Sequence, residues 1–267
     1  MKSDSSKTAC ITGATSGIGA AFAKKFAQQG YDLIITGRRK EEIDFLSRTL
    51  SKESKINVEV MIAELSDDKC LDLLVEKIKN IKNLTILVNN AGFTKENFFH
   101  KEDFSTYEVM SKVHNFAVIK LCHIVLPNMI SNGNGTIINV SSLGAFAPLP
   151  INAVYSASKS FINFFTESIH LELKGTGVKV QALCPGMTKT DFHEKLGYDK
   201  NTYYKDKGRR KAMTPEEVVN ISLQNLEKDK VFCIPGRHNQ ISCFLLKMLP
   251  RKIIHKMGSS FVNKFRD

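Results

Sequence analysis

The chain has 267 residues and a formal net charge of +11 at pH 7. At roughly 150 residues per domain, this length allows one large α/β domain or two small ones. With 42% hydrophobic and 24% charged residues, the composition is that of an ordinary globular protein, which excludes long disordered tracts, collagen-like repeats and small disulfide scaffolds.

The positive charge is concentrated in two segments. Residues 205–211 contain five basic residues and one acidic residue, and residues 230–267 contain eight basic residues and one acidic residue, so the two segments account for the whole excess. A nucleic-acid-binding stripe would more often cross the body of a domain, so we expect no nucleic-acid partner. Three readings stay open: attraction of an anionic lipophilic substrate, weak contact of the tail with a membrane surface or a partner, or plain solubility.

Six scattered cysteines and a polar N-terminus provide information on the cellular compartment in which the protein is found. The two closest cysteines are ten residues apart, so there is no CxxC motif and we expect no metal site. The first residues, MKSDSSK, contain no apolar segment typical of a secretory signal. No run of 18 apolar residues occurs, which argues against a membrane span. We therefore expect a cytoplasmic protein.

Short β-rich segments alternate with longer helical patterns, which is typical of βαβ units and a parallel sheet. The predicted strands are 8–12, 31–36, 56–62, 84–88, 135–140, 178–183 and 231–234. The predicted helices are 17–29, 40–53, 67–80, 103–131, 154–174 and 215–227. Together they predict a single α/β domain over 1–267, a Rossmann-type, doubly wound, seven-stranded parallel sheet with helices on both faces.

The last segment, 240–267, has a different pattern. Its apolar residues recur at helical spacing, lysines lie mostly between them, and Pro250 interrupts the pattern. We expect a helical C-terminal extension of two short amphipathic helices.

A glycine-rich segment follows the first predicted strand and reads TGATSGIG from Thr12 to Gly19. Glycines let a backbone turn sharply and approach a pyrophosphate at the N-terminus of the next helix, where free N–H groups favour an anion. The alternative is an ordinary strand-to-helix turn. The glycine-rich segment stands at the start of a βαβ series, which makes that alternative weaker.

Two arginines follow the second predicted strand, in Gly37-Arg38-Arg39. An acidic residue at this point would bind the adenosine ribose of NAD, whereas a guanidinium can pair with the 2′-phosphate of NADP(H). A solvated basic loop is the alternative. Beside the glycine loop, the pair favours NADP(H), with Arg38 the stronger candidate and Arg39 assisting.

Tyr155 and Lys159 lie four residues apart at the start of a predicted helix. This spacing places both side chains on one helix face. A nearby ammonium group favours a phenolate, so we expect Lys159 to lower the pKa of Tyr155 and let it exchange a proton with a substrate oxygen. A surface pair is the common alternative for this spacing.

The glycine loop, Asn89-Asn90-Ala91-Gly92, the Tyr155–Lys159 pair and Pro185-Gly186-Met187-Thr188 occur in an order that resembles the short-chain dehydrogenase/reductase family. The chain is most similar to its NADP-preferring bacterial branch, which includes some hydroxysteroid dehydrogenases. The resemblance spans residues 12 to 190. It implies hydride transfer between a nicotinamide and a carbonyl or carbinol carbon.

The resemblance also assigns roles to residues. It implies that Ser142, rather than Ser141, orients the substrate oxygen, and that Asn115 holds a water in a proton relay. Tyr155 would be the acid/base, and Lys159 would hold the nicotinamide ribose. Glu64 stands where the family usually has an aspartate beside the adenine. The implied cofactor contacts are Gly13, Thr15, Ser16, Gly17, Ile18, Gly19, Arg38, Arg39, Glu64, Leu65, Asn90, Ala91, Gly92, Tyr155, Lys159, Pro185, Gly186, Thr188 and Thr190.

The substrate is less defined than the reaction. A predicted lid over 188–214 is rich in aromatic residues, and Phe93, Phe146 and Leu149 would add an apolar wall. This favours a lipophilic ketone or secondary alcohol. A hydroxysteroid such as a bile acid, or a 3-oxoacyl substrate, remains an alternative, as does an NADPH-binding sensor without catalysis. Helices 103–131 and 154–174 resemble the pair through which the family forms homodimers or homotetramers.

Overall fold

The computed structural model of the chain describes residues 7–194, 196–198, 204 and 212–263. Seven parallel strands form one sheet in the order β3-β2-β1-β4-β5-β6-β7. The strands are β1 Thr8–Ile11, β2 Asp32–Gly37, β3 Val58–Ile62, β4 Leu84–Asn89, β5 Gly135–Val140, β6 Val178–Leu183 and β7 Phe232–Cys233. The predicted doubly wound sheet is confirmed.

Ten α-helices flank or extend this sheet in the described part of the chain. They are α1 Gly17–Gln28, α2 Lys40–Ser54, α3 Asp68–Lys79, α4 Phe104–Ser111, α5 Ala117–Ser131, α6 Ala153–Glu172, α7 Asp191–Glu194, α8 Pro215–Glu227, α9 Arg237–Met248 and α10 Arg251–Val262. Buried side chains of α1, α2 and α8 form the core on one face of the sheet, and those of α3, α5 and α6 form the core on the other. Because both faces are covered, the central strands need apolar side chains on both sides.

Local hydrogen bonds explain where two of the helices begin. The Asp67 carboxylate accepts a hydrogen bond from the Cys70 N–H at 2.8 Å and caps α3. Thr214 and Glu217 form a reciprocal capping box at the start of α8, with Pro215 in its first turn. Such caps satisfy N–H groups that have no partner within the helix.

The predicted helix 103–131 is interrupted. Residues Lys112–Phe116 form a π turn between α4 and α5, although sequence spacing predicts one uniform α-helix. The run Phe104–Ser131 is long and apolar enough to cross a membrane by length and composition alone. However, Leu121, Cys122 and Val125 are buried against the sheet, so we assign this run to the core.

The order of the strands positions the functional site. β1 lies between β2 and β4, so consecutive connections leave the sheet in opposite directions at this point. Such a switch opens a crevice at the carboxyl ends of parallel strands. The chain segments that follow β1, β4, β5 and β6 all meet there.

Candidate active site

A cavity of about 470 Å³ occupies this crevice. Every predicted cofactor residue except Gly19 lies on its wall, as do Ser142, Tyr155 and Lys159. Asn115 does not. The structure therefore brings together predicted cofactor residues separated by up to 177 positions in the chain, from Gly13 to Thr190, around one space.

The glycine loop fits closely under its neighbours. Gly13 has φ +66°, and a Cβ at this position would lie 2.8 Å from the Cα of Ala91. A Cβ at Gly19 would lie 2.3 Å from the Gly13 carbonyl oxygen, so Gly19 supports the loop from behind. The Asn90 amide donates to the carbonyl oxygens of Thr12 and Gly13 at 3.0 and 2.9 Å. Only glycine fits a left-handed, crowded backbone at little cost.

The N-terminus of α1 is a second feature suited to binding a pyrophosphate. Its N-cap residue, Ser16, makes no side-chain capping hydrogen bond, so the first N–H groups of the helix are not satisfied by their own cap. Uncapped N–H groups and the positive end of the helix dipole favour an anion. The loop and the helix end together fit the pyrophosphate of a dinucleotide.

Both arginines border the same end of the cavity. Arg39 donates to the hydroxyl oxygens of Thr15 and Ser16 at 3.0 and 2.8 Å. Arg38 pairs with the Glu64 carboxylate at 3.0 Å. Burial raises the pKa of Glu64, but hydrogen bonds from Arg38 and Ser66 outweigh it, and the net pKa lies below its usual value. The predicted adenine-side residue Glu64 thus lies on the cavity wall with its carboxylate paired to Arg38.

Helix α6 holds Tyr155 and Lys159 one turn apart. The Lys159 ammonium donates to the Val140 carbonyl oxygen at 2.9 Å and lies 5.8 Å from the centre of the Tyr155 ring. Burial lowers the pKa of Lys159 to about 8. Burial also raises the pKa of Tyr155, and a hydrogen bond with Ser142 opposes this only in part. The expectation that Lys159 lowers the pKa of Tyr155 is therefore wrong in this structure, because desolvation dominates.

The two neighbouring serines after β5 have different partners. The Ser142 hydroxyl accepts a hydrogen bond from the Gly144 N–H at 3.0 Å and interacts with Tyr155. The Ser141 hydroxyl is buried and donates to the Lys159 carbonyl oxygen at 3.1 Å. These contacts favour Ser142 over Ser141 as the residue that meets the substrate oxygen, and its role stays a prediction.

Sequence reasoning overlooked His114, which lies in the π turn. Its Nε2 accepts a hydrogen bond from the Phe93 N–H at 3.1 Å, so we assign the ring proton to Nδ1, which lies 2.9 Å from the Ser158 hydroxyl. The ring meets the Tyr155 ring edge-on, with 5.8 Å between centroids. Burial and the charge of Lys159 hold the pKa of His114 well below its usual value, so this imidazole is neutral at pH 7.

The role of Asn115 in the proton relay stays a prediction. Among the described residues its buried side-chain oxygen has no hydrogen-bond partner, as expected for an atom that would bind a water. The neighbouring His114 contacts the Tyr155 ring and lies within the electrostatic influence of Lys159. No sequence motif singles out His114, because its orientation depends on the π turn.

The segment after β6 closes the cofactor end of the cavity. Thr188 is buried and donates to the Gly186 carbonyl oxygen at 3.1 Å. Thr190 packs against the glycine loop so closely that a Cβ at Gly17 would lie 2.9 Å from its methyl group. Tyr204 donates to the Thr190 carbonyl oxygen at 3.0 Å. Both threonines line the cavity as predicted.

The opposite end of the cavity is mixed in character. Of the predicted apolar wall, Phe93 and Leu149 line it. Phe146 does not, because its ring packs against Phe232. From the predicted lid, Phe192 and Leu196 line the cavity. The predicted lid residue Tyr203 lies outside the described residues, as do 195, 199–202 and 205–211.

A polar chain that the sequence did not suggest runs along this end. Thr94 donates to Asn152 at 2.7 Å, Asn152 donates to Glu96 at 3.4 Å, and the Tyr198 hydroxyl donates to Glu96 at 2.6 Å. This end of the cavity can therefore accept an apolar frame that carries a hydrogen-bonding group.

Residues 7–201 match the family model described as short chain dehydrogenase. A curated relative, sulfoacetaldehyde reductase 2 of Chromohalobacter salexigens, is 35% identical over 185 residues, which cover 68% of this chain and 73% of the relative.

Two solved structures share the fold and part of the sequence. A short-chain dehydrogenase from Sphingobium yanoikuyae in complex with NADPH has a TM-score of 0.81 at 32% identity and covers 87% of this chain and 88% of its own. The bulky-bulky ketone specific alcohol dehydrogenase from Comamonas testosteroni has a TM-score of 0.78 at 28% identity and covers 92% and 96%.

The glycine loop, the cavity and the Tyr155–Lys159 pair agree with these similarities, and the chain belongs to the short-chain dehydrogenase family of oxidoreductases, which act on alcohol and carbonyl groups.

Proposed function

We propose that this chain is an NADPH-dependent reductase of lipophilic ketones, with Tyr155 as the proton donor. The observation that carries the proposal is the single cavity, which has the glycine loop and two arginines at one end and the Tyr155–Ser142 pair with an apolar wall at the other.

NADP(H) fits the residues at the cofactor end. The glycine loop and the uncapped N-terminus of α1 would hold the pyrophosphate, and Arg38 and Arg39 would hold the 2′-phosphate. When bound, the cofactor supplies the hydride. The NADPH complex of the Sphingobium yanoikuyae relative supports this choice of cofactor.

The protonation state of Tyr155 bears on the reduction step. A phenol whose pKa lies above its usual value is protonated at neutral pH, so it holds the proton that a carbonyl oxygen needs on reduction. Ser142 lies beside it and can donate a second hydrogen bond to that oxygen. Lys159, with a pKa of about 8, is mostly charged at pH 7 and stabilises negative charge that develops nearby.

The wall formed by Leu149, Phe192 and Leu196 supports a lipophilic substrate, as does the bulky-ketone specificity in the name of the Comamonas testosteroni structure. Asn152 and Glu96 of the polar chain also lie on the cavity wall, which favours a hydroxyl or similar group on that frame. A hydroxysteroid and a 3-oxoacyl thioester each combine an apolar body with polar groups, so both remain candidates within this class.

Replacement of Tyr155 by Phe tests the mechanism. We expect turnover to fall by at least about a thousandfold, because the proton donor is removed while the ring remains. NADPH binding, followed by cofactor fluorescence, should change less than about twofold. A Tyr155→Phe enzyme with undiminished turnover would overturn the assignment.

A panel of substrates tests the proposed substrate class, the lipophilic ketones. We expect reduction of bulky ketones, with NADPH preferred to NADH, when bile-acid ketones, a 3-oxoacyl thioester and simple small ketones are compared by kcat/KM. The small sulfonated aldehyde used by the Chromohalobacter salexigens relative is the matched polar control. Preference for that aldehyde over every bulky ketone would contradict the lipophilic assignment.

A further inference from the structure

Helices α9 and α10 present an apolar stripe to the outside. The exposed side chains on α9 lie at positions i, i+3, i+4 and i+7, and those on α10 lie at i, i+4 and i+8, which is one face of each helix. We call this surface the tail face; its members are Ile241, Phe244, Leu245, Met248, Ile253, Met257 and Phe261.

The stripe is not the side that holds the helices to the domain. On α9 the buried residues are Asn239 and Cys243, and on α10 the buried residue is Ile254. Phe244 and Met248 are 64% and 69% exposed. A protein surface rarely leaves so many large apolar side chains together in water, unless they mark a contact with a partner or a membrane.

Charge restricts what that contact can be. From Lys230 to Asn263 the chain contains no acidic residue, and Lys247, Arg251, Lys252 and Lys256 are exposed on α9 and α10. Two copies that met through this face would bring these cations together without a counter-charge, which disfavours a symmetric dimer. Apolar side chains flanked by cations are the pattern of helices that lie in the surface of an anionic bilayer.

The tail face is joined to the rim of the cavity. Asn239 packs against Gly186 on the cavity wall, where a Cβ would lie 2.6 Å from its amide nitrogen. The Lys247 ammonium lies 5.2 Å from the centre of the Phe146 ring, in the segment after Ser142. Gly258 of α10 lies against Pro150, next to Leu149 on the cavity wall.

We infer that the tail face docks on an anionic lipid bilayer, with its apolar side chains in the headgroup boundary and its cations against lipid phosphates. Because the same helices contact the rim of the cavity, docking holds the cavity next to the surface in which a lipophilic ketone would dissolve. The docking itself does not depend on the proposed activity.

Sedimentation with vesicles tests the inference. The full chain should sediment with vesicles of phosphatidylcholine that contain phosphatidylglycerol at roughly three lipids in ten, and not with phosphatidylcholine alone. Lys252→Gln combined with Lys256→Gln should weaken binding roughly thirtyfold, since each lysine near an anionic surface contributes about fivefold. Phe244→Ser combined with Met248→Ser should weaken it at least about tenfold.

The matched control is Phe45→Ser, which removes a 67% exposed phenylalanine from α2 and should leave binding unchanged. Thermal unfolding of each variant shows that a loss of binding is not a loss of fold. Three results would overturn the inference: no sedimentation with anionic vesicles, equal sedimentation with neutral ones, or a dimer by light scattering that the Phe244→Ser/Met248→Ser variant converts to a monomer.

Discussion

Lys159 is buried, and its ammonium group donates a hydrogen bond to the Val140 carbonyl oxygen. Burial lowers its pKa from 10.5 to about 8, so the folded state holds the charged form at pH 7 at a free-energy cost. Replacing Lys159 by Met should therefore abolish turnover and yet raise the free energy of unfolding by about 1–3 kcal/mol at pH 7.

The burial of Lys159 also predicts how the stability of the protein changes with pH. Between pH 8 and 10.5 the unfolded wild type binds more protons at Lys159 than the folded wild type does, so its stability rises with pH in this window. The advantage of Lys159→Met should therefore shrink between pH 7 and about pH 9.5 in urea unfolding. A Met variant that is less stable than wild type at pH 7 would show that the lysine is compensated by interactions beyond those seen here.

His114 acts on the reaction through other residues, and we therefore treat it as a positioning residue. It connects the Phe93 N–H to the Ser158 hydroxyl, which in turn donates to the Tyr155 carbonyl oxygen at 2.8 Å. His114→Phe keeps a ring beside Tyr155 but removes both hydrogen bonds. We expect kcat to fall by about tenfold with little change in the KM for NADPH, because small displacements of a reacting group are costly.

Two further variants test whether His114 positions Tyr155 or only stabilises the fold. Ser158→Ala removes one link of the chain and should lower kcat less than His114→Phe does. His123→Phe changes an exposed histidine on α5 and should alter neither kinetic constant. If His114→Phe lowers only the melting temperature and leaves kcat unchanged, His114 is a packing residue.

At the scale of the elements, a buried polar ladder joins two strands to a helix. The Asn89 amide of β4 donates to Asn139 of β5 at 2.8 Å, and Asn139 donates to Thr166 of α6 at 3.0 Å. Asn139 is fully buried. Asn139→Ala should therefore lower the free energy of unfolding by about 3 kcal/mol, measured in urea, because it removes a hydrogen bond from each of two buried partners and leaves a cavity. Asn132→Ala, at the exposed end of α5, is the matched control.

The sequence predicted the regular helices and strands well, but it did not predict the π turn. The helix 215–227 and the strands 135–140 and 178–183 have the predicted bounds, because turn residues, caps and apolar spacing act locally and agree with one another. The π turn at Lys112–Phe116 has no such local signal, because the packing around His114 selects it. For this reason the sequence analysis did not identify His114, although it named the adjacent Asn115.

At the scale of the whole molecule, several large apolar side chains on α5, α6 and the adjoining π turn are exposed. Phe116, Phe164 and Leu171 are prominent among them, and Phe164 is 73% exposed. These are the helices through which the family resemblance predicts a homodimer or homotetramer. We expect light scattering to show an oligomer for the wild type and a monomer for Phe164→Glu, because a charge in an apolar interface is costly.

Phe45→Glu is the control for this prediction, since it places the same charge at an exposed site on α2. A wild type that is monomeric at all concentrations would contradict the expectation. The experiment also separates this surface from the tail face, whose substitutions should leave the oligomer intact.

The cofactor end of the cavity could be predicted from sequence, and the substrate end only in part. Gly13, Arg38 and Thr188 belong to short motifs with a fixed relation to a strand end, so their neighbours are known once the sheet is known. Glu96 and Asn152 are 56 positions apart, and Tyr198 lies a further 46 positions along the chain. Their contact depends on the paths of loops, for which apolar spacing gives no information.

The π turn has a consequence for how this chain can change in length. A π turn takes up one more residue than an α-helical turn, so α4 and α5 keep their packed faces on either side of it. A one-residue deletion within Lys112–Phe116 would restore a continuous α-helix and preserve the core. The same deletion would withdraw the imidazole from Tyr155. A one-residue deletion at this point would therefore alter the chemistry while sparing the fold, which is the reverse of the usual effect of a deletion inside a core helix.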